Sequence, residues 1–460
     1  MIRLFNHYVP RQALLEVLLD SLLLCIAVLV LLVIQVGASP GLVPQAGTHM
    51  LSLAAGVMVI GTASGMYQRS GQLTLAQSVG RAALMLVLAL PLTYLVVQFV
   101  PVDLLDRMPL QWAALGGVLA VVVRRVYLTQ SGTRLATRSR VLIFGAGAAA
   151  NEVAKTLEQA DRNIEIVGFY ASPNETSAAV PIARLLSSSR SLIETAEQLG
   201  TDEIVVALTE RRAGSMPLRQ LLDCKLRGIK VCDLSTHFEK HLGQIRVDYV
   251  NAGWLIFSDG FNQGALRSIV KRFCDLLFSL ILIAIFAPVM LLTALLIKLD
   301  SRGPIFYKQE RVGQHGSTFM VAKFRSMRTD AEKDGTPRWA SAHDDRITRV
   351  GRIIRRVRID EFPQLFNVLR GEMSLVGPRP ERPFFVEQLT EQIPYFAVRH
   401  SVKPGVTGWA QVRYAYGATV EDAQNKLQYD LYYVKNNSLF LDLLVLFETI
   451  GVVLTGKGAR

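Results

Sequence analysis

A chain of 460 residues has room for two or three domains, each able to bury its own core. Half of its residues are hydrophobic and its mean hydropathy is +0.30, which points to membrane association, so the net charge of +12 fits anionic headgroups or phosphorylated substrates at least as well as nucleic acid. The four cysteines, Cys25, Cys224, Cys232 and Cys274, have no CxxC spacing, which argues against a zinc site or a disulfide framework and suits ordinary thiols on the reducing side of a membrane.

The first quarter of the chain reads as a membrane anchor. Residues 14–36 are almost wholly apolar, long enough to cross a bilayer and followed by no cleavage pattern. Further apolar runs fall at 51–66, 82–100 and 112–123. Arg3 and Arg11 precede the first run, Arg69 and Arg81 lie between the second and third, and Arg124, Arg125, Arg134, Arg138 and Arg140 follow the fourth. The first connection has no Lys or Arg and the third has only Arg107. This bias predicts a four-helix transmembrane anchor over 1–125, with both ends and everything after it on the cytoplasmic side.

A basic linker is expected over 126–139, then an α/β domain over 140–262. "RVLIFGAGAAANEVAKTLEQ" supplies a β-branched strand, Gly145 and Gly147, and a helix, the first turn of a Rossmann-like fold and a candidate nucleotide loop. Strands at 164–170, 203–208 and 229–234 with helices between them predict a parallel sheet. The second strand, in "IVGFYASPNE", ends without the acidic residue that an NAD ribose would want, and such a turn also serves tight strand–helix packing.

A second apolar element spans 273–297, with Pro288 in its middle and basic residues on both flanks (Arg267, Lys271 and Arg272 before, Lys298, Arg302 and Lys308 after). Proline favours a kink or break there, and flanks of one sign favour a re-entrant helix over a crossing. Arg346, Arg349, Arg352, Arg355 and Arg358 then recur every third residue with Ile347, Val350, Ile354 and Val357 on another face, an amphipathic helix suited to lipid phosphates or an acidic surface. It leads into Asp360 and Glu361. Ahead of "PQLFNVLRG", with Gly371 at the helix end, Asp360 can be read as an N-cap, or the pair as a reactive centre; Pro363 would then stand at N3 with no N–H for the cap, and local sequence leaves both readings open. Lys323 and Arg325 in "KFRSM", Arg379 and Glu381 in "GPRPE", and Lys403 in "KPGVTGWAQV" are further groups suited to phosphates. Residues 438–454, apolar but carrying acids, suit an interfacial or core helix.

The segments "PIFYKQERVGQHGSTFMVAKFRSM", "DDRITRVGRIIRRVRIDEFPQLFNVLRGEMSLVGPRPE" and "RHSVKPGVTGWAQV" resemble the bacterial sugar transferases, the monotopic phosphoglycosyl transferases, from about Gly264 to the end. With the anchor and Rossmann-like domain, the chain resembles the large, exopolysaccharide-initiating branch of polyprenyl-phosphate hexose-1-phosphate transferases. The resemblance implies a mainly α-helical monotopic catalytic domain over 263–460 in the bacterial inner membrane. It implies transfer of a sugar 1-phosphate from a UDP-sugar to undecaprenyl phosphate, releasing UMP. Asp360 would be the nucleophile of a phosphosugar–aspartyl intermediate, and Glu361 its partner at Mg²⁺. Lys323, Arg325 and Arg379 would hold phosphates, with Glu381 in the motif of Arg379 and Lys403 as further substrate-binding candidates; a homodimer is the family expectation. Phe362 stands where Leu is often seen after the acidic pair. Nucleic-acid binding through the arginine helix fits poorly, since no aromatic stacking pattern accompanies it. An inactive nucleotide-sensing scaffold is the competing reading, and the intact acidic and basic motifs weigh against it.

Overall fold

The computed structural model of the chain describes residues 2–4, 7–9, 11–36, 53–61, 75–98, 107–131, 139–160, 164–172, 179–186, 190–208, 216–250, 253, 255, 260–261, 264–329, 346–414, 417 and 419–455. It divides into two compact units, residues 1–2 with 8–243 and residues 3–7 with 244–460.

In the first unit, helices α1 (Arg11–Val36), α2 (53–61), α3 (Leu75–Gln98) and α4 (Arg107–Ser131) stand where the apolar runs predict them. Leu24, Val57, Met85 and Val121 bury one face of each in a shared core. Asp20 of α1 is fully buried against Arg124 of α4, so the most costly group in the cluster is paired. Helix α4 runs on to Ser131, so the first part of the expected linker is helical; residues 132–138 lie outside the described residues.

The rest of this unit is a parallel five-stranded sheet, as the alternation of strands and helices predicts. Its strands are β1 (Ser139–Phe144), β2 (Ile164–Tyr170), β3 (Leu185–Leu186), β4 (Glu203–Val206) and β5 (Lys230–Asp233), in the spatial order β3-β2-β1-β4-β5. Helices α5 (Ala148–Ala160), α6 (Leu192–Gln198), α7 (Leu218–Leu226) and α8 (Leu234–Leu242) connect them. Gly145 has φ +128°, and a Cβ there would stand 2.9 Å from the Ala207 carbonyl oxygen. Close backbone packing at the strand end therefore accounts for this glycine without a ligand.

The second unit begins at Gln244, earlier than the expected boundary at 262/263. Ile245, Val247 and Val250 are buried in its core, and the Ile245 N–H donates to the Gln428 carbonyl at 2.9 Å, which is why this stretch goes with the C-terminal domain. Helix α9 (Ala265–Asp300) follows, 36 residues long and apolar enough to cross a membrane. At 1.5 Å per residue it is about 54 Å long, against about 30 Å of bilayer hydrocarbon. Pro288 lies inside it without ending it, so the helix break expected there is absent from the backbone.

Both ends of α9 are fastened to the same domain. Near the start, Arg272 donates to the Val368 and Leu369 carbonyls at 2.5 and 2.7 Å, and Asp275 accepts the Leu375 N–H at 3.1 Å. At the end, Asp300 accepts the Val350 N–H at 3.1 Å, and Met290 and Ile297 pack with Phe324 and Ile354. The other face exposes Phe278, Ile281, Ile285, Leu292 and Leu295. Beyond it lie the antiparallel hairpin β6 (Phe306–Val312) and β7 (Thr318–Phe324), helices α10 (Arg349–Arg356) and α11 (Gln364–Arg370), and the strand β8 (Ser374–Val376). Helix α12 (Pro383–Gln392), the strand β9 (Gly405–Thr407), and helices α13 (Trp409–Arg413), α14 (Val420–Asn436) and α15 (Leu439–Thr455) complete the domain. Helix α15 is a core helix: Leu441 and Val445 are buried, and Asp442 and Glu448 pair with Lys271 and Arg413.

Candidate active site

The arginine helix is shorter than its repeat suggests. Thr348 caps α10 through its hydroxyl on the Gly351 N–H at 2.9 Å, and the helix stops at Arg356. Gly351 leaves no room for a side chain, because a Cβ would run into the Ser326 carbonyl. Arg358 adopts a left-handed conformation (φ 57°, ψ 19°), a strained state for a residue with a Cβ. It turns the chain into a tight 3₁₀ turn, Ile359–Glu361, that continues into α11. Asp360 is therefore not the N-cap: Pro363 holds that position, and no side chain caps α11. Gly371 does end the helix in the left-handed conformation (φ 87°), as the sequence predicts.

The turn buries both carboxylates, leaving Asp360 9% and Glu361 7% exposed. Glu361 is held by three cations. Lys323 Nζ and Arg379 Nη2 donate to Oε1 at 3.1 and 2.9 Å, and Arg358 Nη1 donates to Oε2 at 3.1 Å. Burial opposes its ionisation, yet Arg379, Lys323 and Arg358 outweigh that and hold its carboxyl well below the usual range. Asp360 accepts no hydrogen bond among the described residues. Burial and the neighbouring Glu361 charge push its carboxyl up to about 6, against the pull of Lys323, Arg355 and Arg379.

The supports of these cations come from the glycine-rich motifs and from one asparagine. Asn367 on α11 donates to the Met320 carbonyl at 2.8 Å and accepts the Ala322 N–H at 3.0 Å, which bolts the helix to β7 and sets Lys323 opposite Glu361. Strands β8 and β9 pair in parallel, Ser374 with Gly405 and Val376 with Thr407. Gly377, Gly405 and Gly408 bring these two backbones too close for any Cβ. That pairing presents Arg379, whose carbonyl accepts from Arg399 Nη2 at 2.9 Å.

Asp360, Glu361, Lys323, Arg379 and Glu381 line one cavity of about 550 Å³. Eleven Lys and Arg side chains line it against four carboxylates, so it is built for an anion. Glu381 lies 3.5 Å from Arg311 on its wall. Arg325 touches the wall but is committed elsewhere: it is 4% exposed and donates to the Ser301 carbonyl at 2.7 Å, the Ser301 hydroxyl at 2.8 Å and the Arg302 carbonyl at 3.1 Å. It therefore closes the C-terminal end of α9, where the expectation was a phosphate ligand. Lys403 is not brought to the cavity either; it sits beside Arg272, Lys271 and Gly371 near the base of α9. Sequence reasoning missed Asn367, Arg399 and the buried Asp430, which Arg399 holds at 2.8 Å and burial pushes up to about 6. Arg355 and Arg358, on the stripe read as suited to lipid phosphates or an acidic surface, both line the cavity.

Phe362, next to the pair, packs against Phe286 of the long helix with ring centroids 4.9 Å apart and planes tilted by 51°.

Residues 266–456 match the family described as bacterial sugar transferase. The chain is 42% identical over 259 residues to a UDP-N-acetylgalactosamine-undecaprenyl-phosphate N-acetylgalactosaminephosphotransferase of Aeromonas hydrophila, covering 56% of this chain and 60% of that one. It is 31% identical over 363 residues to a UDP-glucose:undecaprenyl-phosphate glucose-1-phosphate transferase of Xanthomonas campestris pv. campestris, covering 75% and 73%. To an exopolysaccharide production protein of Rhizobium leguminosarum bv. phaseoli it is 43% identical over 199 residues, 41% of this chain and 98% of that one. The chain belongs to the bacterial sugar transferase family, in its hexose-1-phosphate transferase branch.

Proposed function

We propose that this chain transfers a sugar 1-phosphate from a UDP-sugar to undecaprenyl phosphate at the cytoplasmic face of a membrane, with release of UMP. The observation that carries this reading is the division of labour in the 3₁₀ turn. One buried carboxylate is locked as an anion by three cations, and its neighbour accepts no hydrogen bond among the described residues and faces a basic cavity.

Asp360 is the nucleophile of the first step. Its carboxylate oxygen bonds to the sugar-bearing phosphorus, the bond from that phosphorus to the UMP oxygen breaks, and UMP departs. In the second step an oxygen of the lipid phosphate bonds to the same phosphorus and the aspartyl–phosphorus bond breaks, which regenerates the carboxylate. Lys323 and Arg379 orient the diphosphate while they hold Glu361. Hard oxygen donors suit Mg²⁺, and the raised carboxyl of Asp360 is the state that a nearby cation relieves, so the pair fits the ion. Glu361 would hold it through remaining carboxylate lone pairs; when bound, Mg²⁺ neutralises charge on the diphosphate.

Helices α1–α4 serve as a four-helix membrane anchor, and α9 enters the bilayer without leaving its far side. Fastening of both helix ends to one domain, with an apolar outer face between them, supports that reading.

The test is incubation of membranes with Mg²⁺, undecaprenyl phosphate and a panel of UDP-sugars. UMP release is expected for at least one sugar. Asp360→Asn should lower release at least ~1000-fold and abolish a radiolabelled phosphosugar adduct. Full turnover by that variant overturns the nucleophile; no release with any sugar favours an inactive scaffold.

A further inference from the structure

The scattered cysteines show no metal spacing in sequence, yet the parallel sheet of the first unit gathers one of them with two other ligand types. Glu203 opens β4 and Cys232 lies on the adjacent β5, where Val205 pairs with Cys232. His237 is one turn into α8, the helix that follows β5 directly. Glu203 and Cys232 are 8% and 7% exposed, and His237 is completely buried.

Three atoms of these side chains converge. Cys232 Sγ is 2.9 Å from Glu203 Oε1 and 3.9 Å from His237 Nδ1, and Nδ1 is 4.0 Å from the same Oε1. A point about 2.1 Å from all three corners lies inside that triangle, against bonds of roughly 2.0–2.3 Å for zinc to nitrogen, oxygen and sulfur. The imidazole stacks on His241, but as a polar ring it is poorly satisfied: Nδ1 has only the long contacts to Cys232 Sγ and Glu203 Oε1, and Nε2 has no partner among the described residues. Burying a polar ring so poorly satisfied is costly, and a cation at the centre would engage Nδ1.

We propose that Glu203, Cys232 and His237 bind one zinc-class divalent cation. One thiolate, one imidazole and one carboxylate suit that class and discriminate against Mg²⁺, which prefers an all-oxygen shell. The cation ties two strands and a helix together in a domain remote in sequence from the transferase motifs.

The full chain purified in detergent is the sample. Mass-spectrometric metal analysis should find about one zinc per chain, falling at least ~10-fold in both Cys232→Ser and His237→Ala. Serine preserves the shape of the site, so loss of metal there is not loss of fold, which circular dichroism of each variant checks. Cobalt added to the chelator-treated wild type should give a thiolate-to-cobalt charge-transfer band that Cys232→Ser lacks and Mg²⁺ does not displace. A wild type without zinc that develops no cobalt band overturns the site, as does zinc content unchanged in both variants. Asp360→Asn should keep its metal, so failure of this proposal and failure of the transferase reading are told apart.

Discussion

Asp360 and Glu361 share one buried turn, and the three cations that reach Glu361 leave its neighbour with the cost of burial. That cost has a sign in pH. The folded carboxyl of Asp360 titrates at about 6, above the usual value of about 3.9 for an unfolded chain. Its ionisation therefore costs nothing below the unfolded value and progressively destabilises the fold as pH rises through about 6. Asp360→Asn removes the penalty, so it should raise thermal stability at pH 8 by on the order of 2 kcal/mol and leave it nearly unchanged at pH 4. An equal effect at both pH values, read by calorimetry, would sink the argument. At this scale the sequence showed which residue types were present but not which oxygens they would reach. "RIDEF" reads equally as a cap or a centre until Arg358 is seen in a left-handed turn that places Pro363, not Asp360, at the head of α11.

Elements were legible where periodicity is long and misread where a side chain has two uses. The parallel sheet follows from alternating strands and helices, and Gly371 ends its helix where a C-terminal glycine should. Arg325 looks like a twin of Lys323 two residues away, yet it lies just past the end of β7 and turns to the Ser301 and Arg302 carbonyls that follow α9. Only the packing of a helix ending at residue 300 against a hairpin ending at 324 distinguishes the two cations. Arg325→Met should therefore destabilise the domain by about 3 kcal/mol, since it removes several charge-assisted hydrogen bonds of a buried guanidinium, and Arg325→Lys should recover only part of that because a point charge replaces a planar fork. Unfolding by urea checks this. An unchanged unfolding midpoint with a raised KM for the UDP-sugar would instead return Arg325 to the phosphates.

For the whole molecule, the point at which the second unit begins was not legible in composition or motif order. Residues 244–250 carry no transferase motif, and they join the second unit only because Ile245, Val247 and Val250 fill its core. Pro288 suggested a broken helix. The backbone stays helical through it, and the clamps at the two ends now carry the case against a crossing. A cysteine placed just after Lys298 should resist membrane-impermeant thiol reagents in intact cells and react after permeabilisation. Reaction in intact cells would mean that α9 crosses.

The contact between Phe286 and Phe362 links the long helix to the turn that carries Asp360 and Glu361. A helix fixed at both ends cannot adjust its depth independently of the domain, so a thicker or thinner leaflet would tilt the whole domain or strain that contact. With α9 in the bilayer as proposed, lipid composition would control turnover. In nanodiscs of graded acyl-chain length, the wild type should show an optimum that Phe286→Ala flattens, and a wild-type rate indifferent to chain length would show that the rings transmit nothing.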